Sequence, residues 1–242
     1  MNYSLAVLDW HALAPGLSTS EDWNQWALLS ADQAFKGEIA KSQRIPMMSA
    51  RRMSPVSRIA VESSLALIEK YQFDRAVFTS RHGELERTYK ILQTLAQQQQ
   101  VSPTDFSMSV HNTAAGWLTI AAKNTLPVTS LAAGSDSFQQ GLLEARAMLS
   151  VDGVNTVLLV DFDGCVPDIY APNQNSQYAP YCVALVLTKG DTSTCHLIQE
   201  AKTSPMPQSL QFLRHYLLKD NDFIIAADDY SWQWQCENNT RD

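Results

Sequence analysis

PVTSLAAGSDSFQQGLLEA at residues 127–145, followed by VDGVNTVLLVD at 151–161, decides the fold of this chain. The apolar, β-branched run after Pro127 predicts a short strand over Pro127–Ala132. Gly134, Ser135, Asp136 and Ser137 supply turn and capping residues, and a helix is expected over Asp136–Ser150. Asn155–Asp161 is apolar almost throughout, as in a central strand covered on both faces.

The same alternation continues outward. Upstream, Ser54 is a good N-cap and Pro55 suits the first helical position, so a helix is expected over 54–71 with Ile59, Leu65, Leu67 and Ile68 on its apolar face. Arg75–Ser80 reads as a buried strand, and Gly83 opens a second helix that runs to the Gln97–Gln100 tract. Ser102–Val110 reads as extended or looped, and Asn112–Ala122 as a helix rich in small residues. Residues 4–8 form a short apolar run, and 9–50 read as irregular with short helices. Downstream, strands are expected at Tyr181–Thr188 and Cys195–Gln199, joined as a hairpin through Lys189, Gly190 and Asp191. A helix over 207–219 and a short strand at Phe223–Ala227 close the chain. Strands alternating with helices predict an α/β protein with a mostly parallel sheet. No repeat or linker interrupts 1–242, which reads as a single domain.

Composition excludes several classes. The chain has 242 residues and a net charge of −7. Its 18 basic residues are scattered, which disfavours nucleic acid, because phosphate neutralisation needs concentrated positive charge. No stretch reaches the roughly 18 apolar residues of a membrane helix, and the N-terminus lacks a signal-peptide pattern. A cytoplasmic location is expected. The cysteines at 165, 182, 195 and 236 contain no C-x-x-C pair and read as packing thiols.

Three segments, in this order, resemble the β-ketoacyl synthases. Arg51-Arg52-Met53-Ser54-Pro55-Val56-Ser57-Arg58 is similar to the arginine-rich entry of their first long helix. Ser109-Val110-His111-Asn112-Thr113-Ala114-Ala115-Gly116 is similar to the segment before their nucleophile. Leu131–Phe138 with Gly141–Ala145 is similar to the nucleophile turn and the helix behind it. The resemblance covers roughly residues 50–200. It implies a thiolase-like βαβαβαββ half, with a mixed, mostly parallel five-stranded sheet and helices on both faces.

Two departures from the family pattern matter more than the matches. Ketosynthases place a cysteine at the head of this helix, where the dipole favours the thiolate. Here Ser135 occupies the position, and a serine hydroxyl is a weak nucleophile without a base. The family's paired histidines come from a second half that the remaining residues are too few to supply. The resemblance is therefore to the short chain length factors of aryl polyene ketosynthases. These are non-catalytic partners that complete the dimer and shape the acyl tunnel. It implies no cofactor and no metal. The expected partner is a catalytic ketosynthase, as a heterodimer or a dimer of heterodimers, within a complex that transfers acyl groups. Contact with acyl carrier protein would be indirect, through that partner. The expected interface is large and apolar, on the order of 2,000 Å² or more, and a half unit is expected to leave apolar faces exposed.

The tunnel and interface residues implied are Thr88, Tyr89 and Leu92 on the helix after Gly83, with Met108, Val110, His111, Asn112 and Phe138. Plainer roles compete for several of these. Ser135 and Asn112 would serve as helix caps, and His111 would hydrogen-bond within the fold. Asp161 and Asp163 would be turn residues. Arg51, Arg52 and Arg58 would meet either carrier-protein acids or buried partners. The rival function is a serine hydrolase or acyltransferase with the chain order Ser135, Asp163, His196. Its nucleophile elbow, G-x-S-x-G, lacks both outer glycines here. An active thiolase-fold enzyme using Ser135 and a stand-alone acyl-binding protein are further alternatives.

Overall fold

A computed structural model describes residues 2–29, 33–173, 178–200, 202 and 204–237. The strands are β1 (Asn2–Leu13), β2 (Arg75–Thr79), β3 (Val128–Leu131), β4 (Thr156–Asp163), β5 (Tyr181–Ile198), β6 (Asp222–Ala226) and β7 (Ser231–Cys236). The helices are α1 (Ser20–Leu28), α2 (Met47–Ala50), α3 (Pro55–Ile68), α4 (Leu85–Ala96), α5 (Pro103–Ser107), α6 (Thr113–Ala122), α7 (Ser137–Leu149) and α8 (Gln208–Leu218). The α3 start is the expected one: the Ser54 hydroxyl accepts from Ser57 N–H at 3.1 Å, with Pro55 at the first position.

All strands lie in one mixed sheet. β3, β2 and β4 run parallel, and β5 lies antiparallel against both β4 and β1. These five form the thiolase-like half. The far end of β5 also pairs with β7, and β7 pairs with β6. Among the described residues the sheet therefore has seven strands, and antiparallel pairs outnumber parallel ones, against the expected five and parallel majority.

The expected hairpin at Lys189–Asp191 is absent, and β5 is a single strand of 18 residues. The reason is β1, which pairs along both of its halves. The register passes from Ala6 opposite Thr188 to Leu5 opposite Ser193, so residues 189–192 bulge out of the ladder without reversing the chain. Gly190 is needed for close approach, since a Cβ there would lie 2.7 Å from the Ala6 Cβ. The structure adds a helix, α5, where an extended segment was expected, and adds β7. It also extends β1 to Leu13.

β4 explains the layers. Leu158, Val160 and Phe162 face α3 and α6, in a cluster with Ile59, Leu67, Phe78 and Leu118. Val157 and Leu159 face α7 and α8, with Phe138, Leu142, Phe212, Trp232 and Trp234. Strand parity then aims Asp161 and Asp163 at the second face. Each buried aliphatic side chain contributes roughly 1.5–3 kcal/mol. α8, α1 and α7 cover this second face, and the β6–β7 hairpin widens the sheet beyond β5, adding Trp232 and Trp234 to the same cluster. Large exposed apolar side chains remain on α2 (Met47, Met48), α4 (Leu92, Leu95), α5 (Phe106) and α6 (Ile120).

Candidate functional site

β3 leads into a 3₁₀ turn, Gly134–Asp136, and then into α7. Gly134 has φ +61, a left-handed conformation that glycine adopts without steric cost. The Ser135 hydroxyl donates to Asp228 Oδ2 at 2.5 Å, so it neither caps α7 nor meets an imidazole. The Ser137 hydroxyl instead accepts from Ala133 N–H at 2.9 Å. The adjacent residue, Asp136, is a buried hub. Its Oδ1 accepts from Gln208 Nε2 at 2.9 Å and Trp232 Nε1 at 2.8 Å. Its Oδ2 accepts from Gln140 Nε2 at 2.7 Å and the Tyr230 hydroxyl at 2.6 Å. The head of α7 is thus tied to α8 and to the β6–β7 hairpin.

Ser135 and Phe138 line a cavity of about 300 Å³ together with Asp161, Asp163, Tyr178, Tyr181, Met206 and Gln211. Asp161 accepts from Thr79 Oγ1 at 2.6 Å, the Ser209 hydroxyl at 2.6 Å and the Tyr181 hydroxyl at 3.1 Å. Asp163 accepts from the Ser80 hydroxyl at 2.6 Å and from the backbone N–H groups of Arg81 at 3.0 Å and His82 at 2.9 Å. Both carboxyls are buried, joining strands and helices, and neither is a turn residue. Burial, reinforced by the charge of Asp163, pushes the Asp161 carboxyl from 3.8 up to about 7 against its three hydroxyl donors. Burial raises Asp163 as well.

A sign follows for stability. Between pH 3.8 and 7 the unfolded chain releases the Asp161 proton while the folded chain holds it. Stability therefore falls as pH rises through this window, by up to about 1.4 kcal/mol per pH unit. Burial lowers His11 from 6.5 to about 4, which slopes stability the other way as pH falls. Asp161→Asn isolates the carboxyl. The melting temperature of the variant minus that of the parent is expected to grow from pH 4 to pH 7 and then level off. A difference that is constant across the range would refute the buried proton.

The rival triad is not assembled. The Asp163 oxygens are engaged by Ser80, Arg81 and His82. His196 lies on β5 between Asn2 and Gln233, outside the residues lining the cavity. The remaining predicted residues fall in separate places. His111 Nε2 lies 3.0 Å from the Ser80 carbonyl, a bond within the fold. His111 and Asn112 line an open groove of about 750 Å³ between α6 and β3, with Gly116, Thr119 and Ser130. Asn112 occupies the N-cap position of α6 but makes no side-chain cap bond. Thr88, Tyr89 and Leu92 lie on α4, where Tyr89 meets Tyr170 edge-on at 6.0 Å. Met108 packs on the α3–α6 cluster, and Val110 is exposed. Arg51 and Arg52 are exposed, and neither forms an ion pair among the described residues. The hub at Asp136 and the donors to Asp161 carry little local sequence signal, because all their partners but Gln140 lie 20 to 96 residues away.

A family model for the β-ketoacyl synthase N-terminal domain matches residues 23–235. One chain of the complex between the ketosynthase ApeO and its chain length factor ApeC, from Xenorhabdus doucetiae, is 43% identical with a TM-score of 0.88. That match covers 96% of this chain and 99% of that one, so the two are nearly equal in length. A chain of the ishigamide ketosynthase/chain length factor matches at 13% identity and TM-score 0.64, over 81% of this chain and 68% of that chain. A chain of the AntDE:AntF complex, a type II acyl-carrier protein with its ketosynthase, matches at 10% identity and TM-score 0.68, over 98% of this chain and 100% of that one. These last two share the fold. No curated protein sequence matches the chain. Among the described residues no helix is long and apolar enough to cross a membrane.

Proposed function

This chain belongs to the β-ketoacyl synthase family, matched through its N-terminal domain, and from that premise we propose that it is a non-catalytic ketosynthase partner of the chain length factor type. In this reading the whole chain acts as one domain in the cytoplasm. It completes a dimer with a catalytic ketosynthase and shapes the acyl tunnel for elongation of an aryl polyene chain on an acyl carrier protein. The observation that carries the reading is the state of Ser135. In this reading Ser135 stands where the family has its nucleophile, and its hydroxyl is bonded to the Asp228 carboxylate, beside a buried hub that serves the fold.

The surface supports a partner at β3. This strand lies at the sheet edge with β2 as its only neighbour among the described strands. All four of its residues are half-buried. The groove beside it is lined by small residues of α6, and Ile120 stands exposed on the same helix. An uncovered edge next to an exposed apolar side chain is what a partner strand would cover.

The test is co-expression with the neighbouring ketosynthase, followed by mass analysis of the carrier-bound product. Stable co-purification is expected, with acyl label on the partner and none on Ser135. Stoichiometric labelling of Ser135 by a fluorophosphonate would instead favour the hydrolase. In the same complex Tyr89→Ala is expected to shift the product distribution to longer chains, by removing a bulky side chain that would stop the growing acyl group. Unchanged products in Thr88→Ala, Tyr89→Ala and Leu92→Ala together would defeat the placement of the length-setting face on α4.

A further inference from the structure

α4 has no buried residue, and Leu92 and Leu95 are about half exposed, at 49% and 55%. Among the described helices and strands it packs appreciably only on α5. Apart from the edge-on contact of Tyr89 with Tyr170, apolar burial therefore does little to fix its direction. What reaches the core is a polar chain at its first turn. Glu84, 5% exposed, accepts from the Ser54 hydroxyl at 2.8 Å and the Ser57 hydroxyl at 2.5 Å, both at the head of α3. Arg87 Nε lies 3.7 Å from the other Glu84 oxygen. Arg87 Nη1 donates to Asp105 of α5 at 2.9 Å, and Nη2 to the Arg52 carbonyl at 3.2 Å. One buried acid and one arginine thus join α3, α4 and α5. The chain enters α4 through Gly83, at φ +54, where a Cβ would lie 3.0 Å from the His111 ring. The base of α4 is pinned by these bonds, while the residues beyond it, Thr88, Tyr89, Ile91 and Thr94, are only half-buried.

We propose that Glu84 and Arg87 are positioning residues whose buried latch sets the direction of α4, and through it the reach of the Thr88, Tyr89 and Leu92 face into the acyl tunnel. This rests on the chain length reading above. The charge-assisted hydrogen bonds of Glu84 to two α3 hydroxyls, and of the Arg87 fork to Asp105 and the Arg52 carbonyl, fix an angle, which exposed apolar contacts do not. The lever is long enough to matter. Leu92 lies roughly 12 Å along the helix from Glu84, so a tilt of about 10° moves it about 2 Å. That is close to the advance of one two-carbon extension. A relaxed latch therefore blurs where elongation stops, without touching any group that meets the acyl chain.

The experiment uses the complex co-purified with its ketosynthase, with Glu84→Ala, Arg87→Ala, Arg87→Lys and Ser57→Ala in this chain. Carrier-bound products are resolved by mass, and amide hydrogen exchange is followed in α4. In Glu84→Ala and Arg87→Ala the share of the major product is expected to fall at least about threefold, with neighbouring lengths rising on both sides. Exchange in α4 is expected to rise at least about tenfold while α3 and β4 are unmoved. Arg87→Lys, which keeps the charge and loses the fork, should fall between these variants and the parent. If Tyr89→Ala shifts the products but the latch variants exchange faster in α4 with native products, the latch proposal is overturned and the reading stands. If Tyr89→Ala and the latch variants alike leave the products native, the length-setting role of α4 falls, and the latch with it. Should Glu84→Ala fail to assemble, native product distributions in both Arg87→Lys and Ser57→Ala overturn the proposal.

Discussion

Asp136→Ala is expected to destabilise the fold by about 3–5 kcal/mol, well beyond the loss of one ordinary hydrogen bond. Four donors converge on this carboxylate, from Gln140, Gln208, Tyr230 and Trp232. Gln208 keeps a second acceptor in the Ala226 carbonyl at 2.9 Å. Trp232 is 1% exposed, and its indole N–H would be left in the core without a partner. A domain of this size loses roughly 2–4 °C per kcal/mol, so the melting temperature is expected to fall by about 10 °C or more. Asp136→Asn keeps the volume and one carbonyl oxygen, and should cost about half as much. Ser135→Ala, one residue away, removes a single half-exposed bond and should cost less than about 1 kcal/mol. Thermal melts of the three variants provide the check. If Asp136→Ala melts within about 2 °C of the parent, Asp136 is not the hub its geometry indicates.

Ser130→Pro is expected to weaken association with the ketosynthase at least about 100-fold, or about 2.8 kcal/mol, with little change in the stability of this chain. The β2–β3 ladder gives the reason. Ala76 N–H donates to the Pro127 carbonyl at 2.9 Å, and Ser80 N–H to the Leu131 carbonyl at 3.3 Å. In a parallel pair, alternate residues turn their backbone groups to one neighbour. Odd-numbered residues here serve β2, and the N–H and C=O of Ser130 face the open edge. Proline at an outward edge position leaves the existing ladder intact, yet removes the donor that an added strand requires. Titration of the two purified subunits, alongside melts of this chain alone, separates the effects. Undiminished affinity in a variant that melts like the parent would move the interface away from β3.

Much of the α/β order was legible in the sequence. Ser54 and Pro55 announce the start of α3, and the unbroken apolar run before Asp161 announces a central strand. Both signals act within one turn or one strand, where local sterics and burial decide the outcome. The hairpin expected at Lys189–Asp191 was not legible as a bulge. Gly190 is there to admit Ala6, which lies far away in the chain and is brought alongside by β1. Asp161 and Asp163 looked like strand-end turn residues because nothing nearby indicated Ser209, Thr79 or Ser80.

The alternation of strands and helices between Ser54 and Asp161 and the likeness to ketosynthases were legible in the sequence alone. Each depends on the identity of a residue or on the spacing of its close neighbours. Tertiary structure alone decided that the chain covers both faces of its own sheet, that Asp136 became a hub, and that Glu84 and Arg87 tie the first turn of α4 to α3 and α5. Those outcomes depend on which distant side chains meet, and hydrogen bonds to buried groups are set by position in space, which no local pattern encodes.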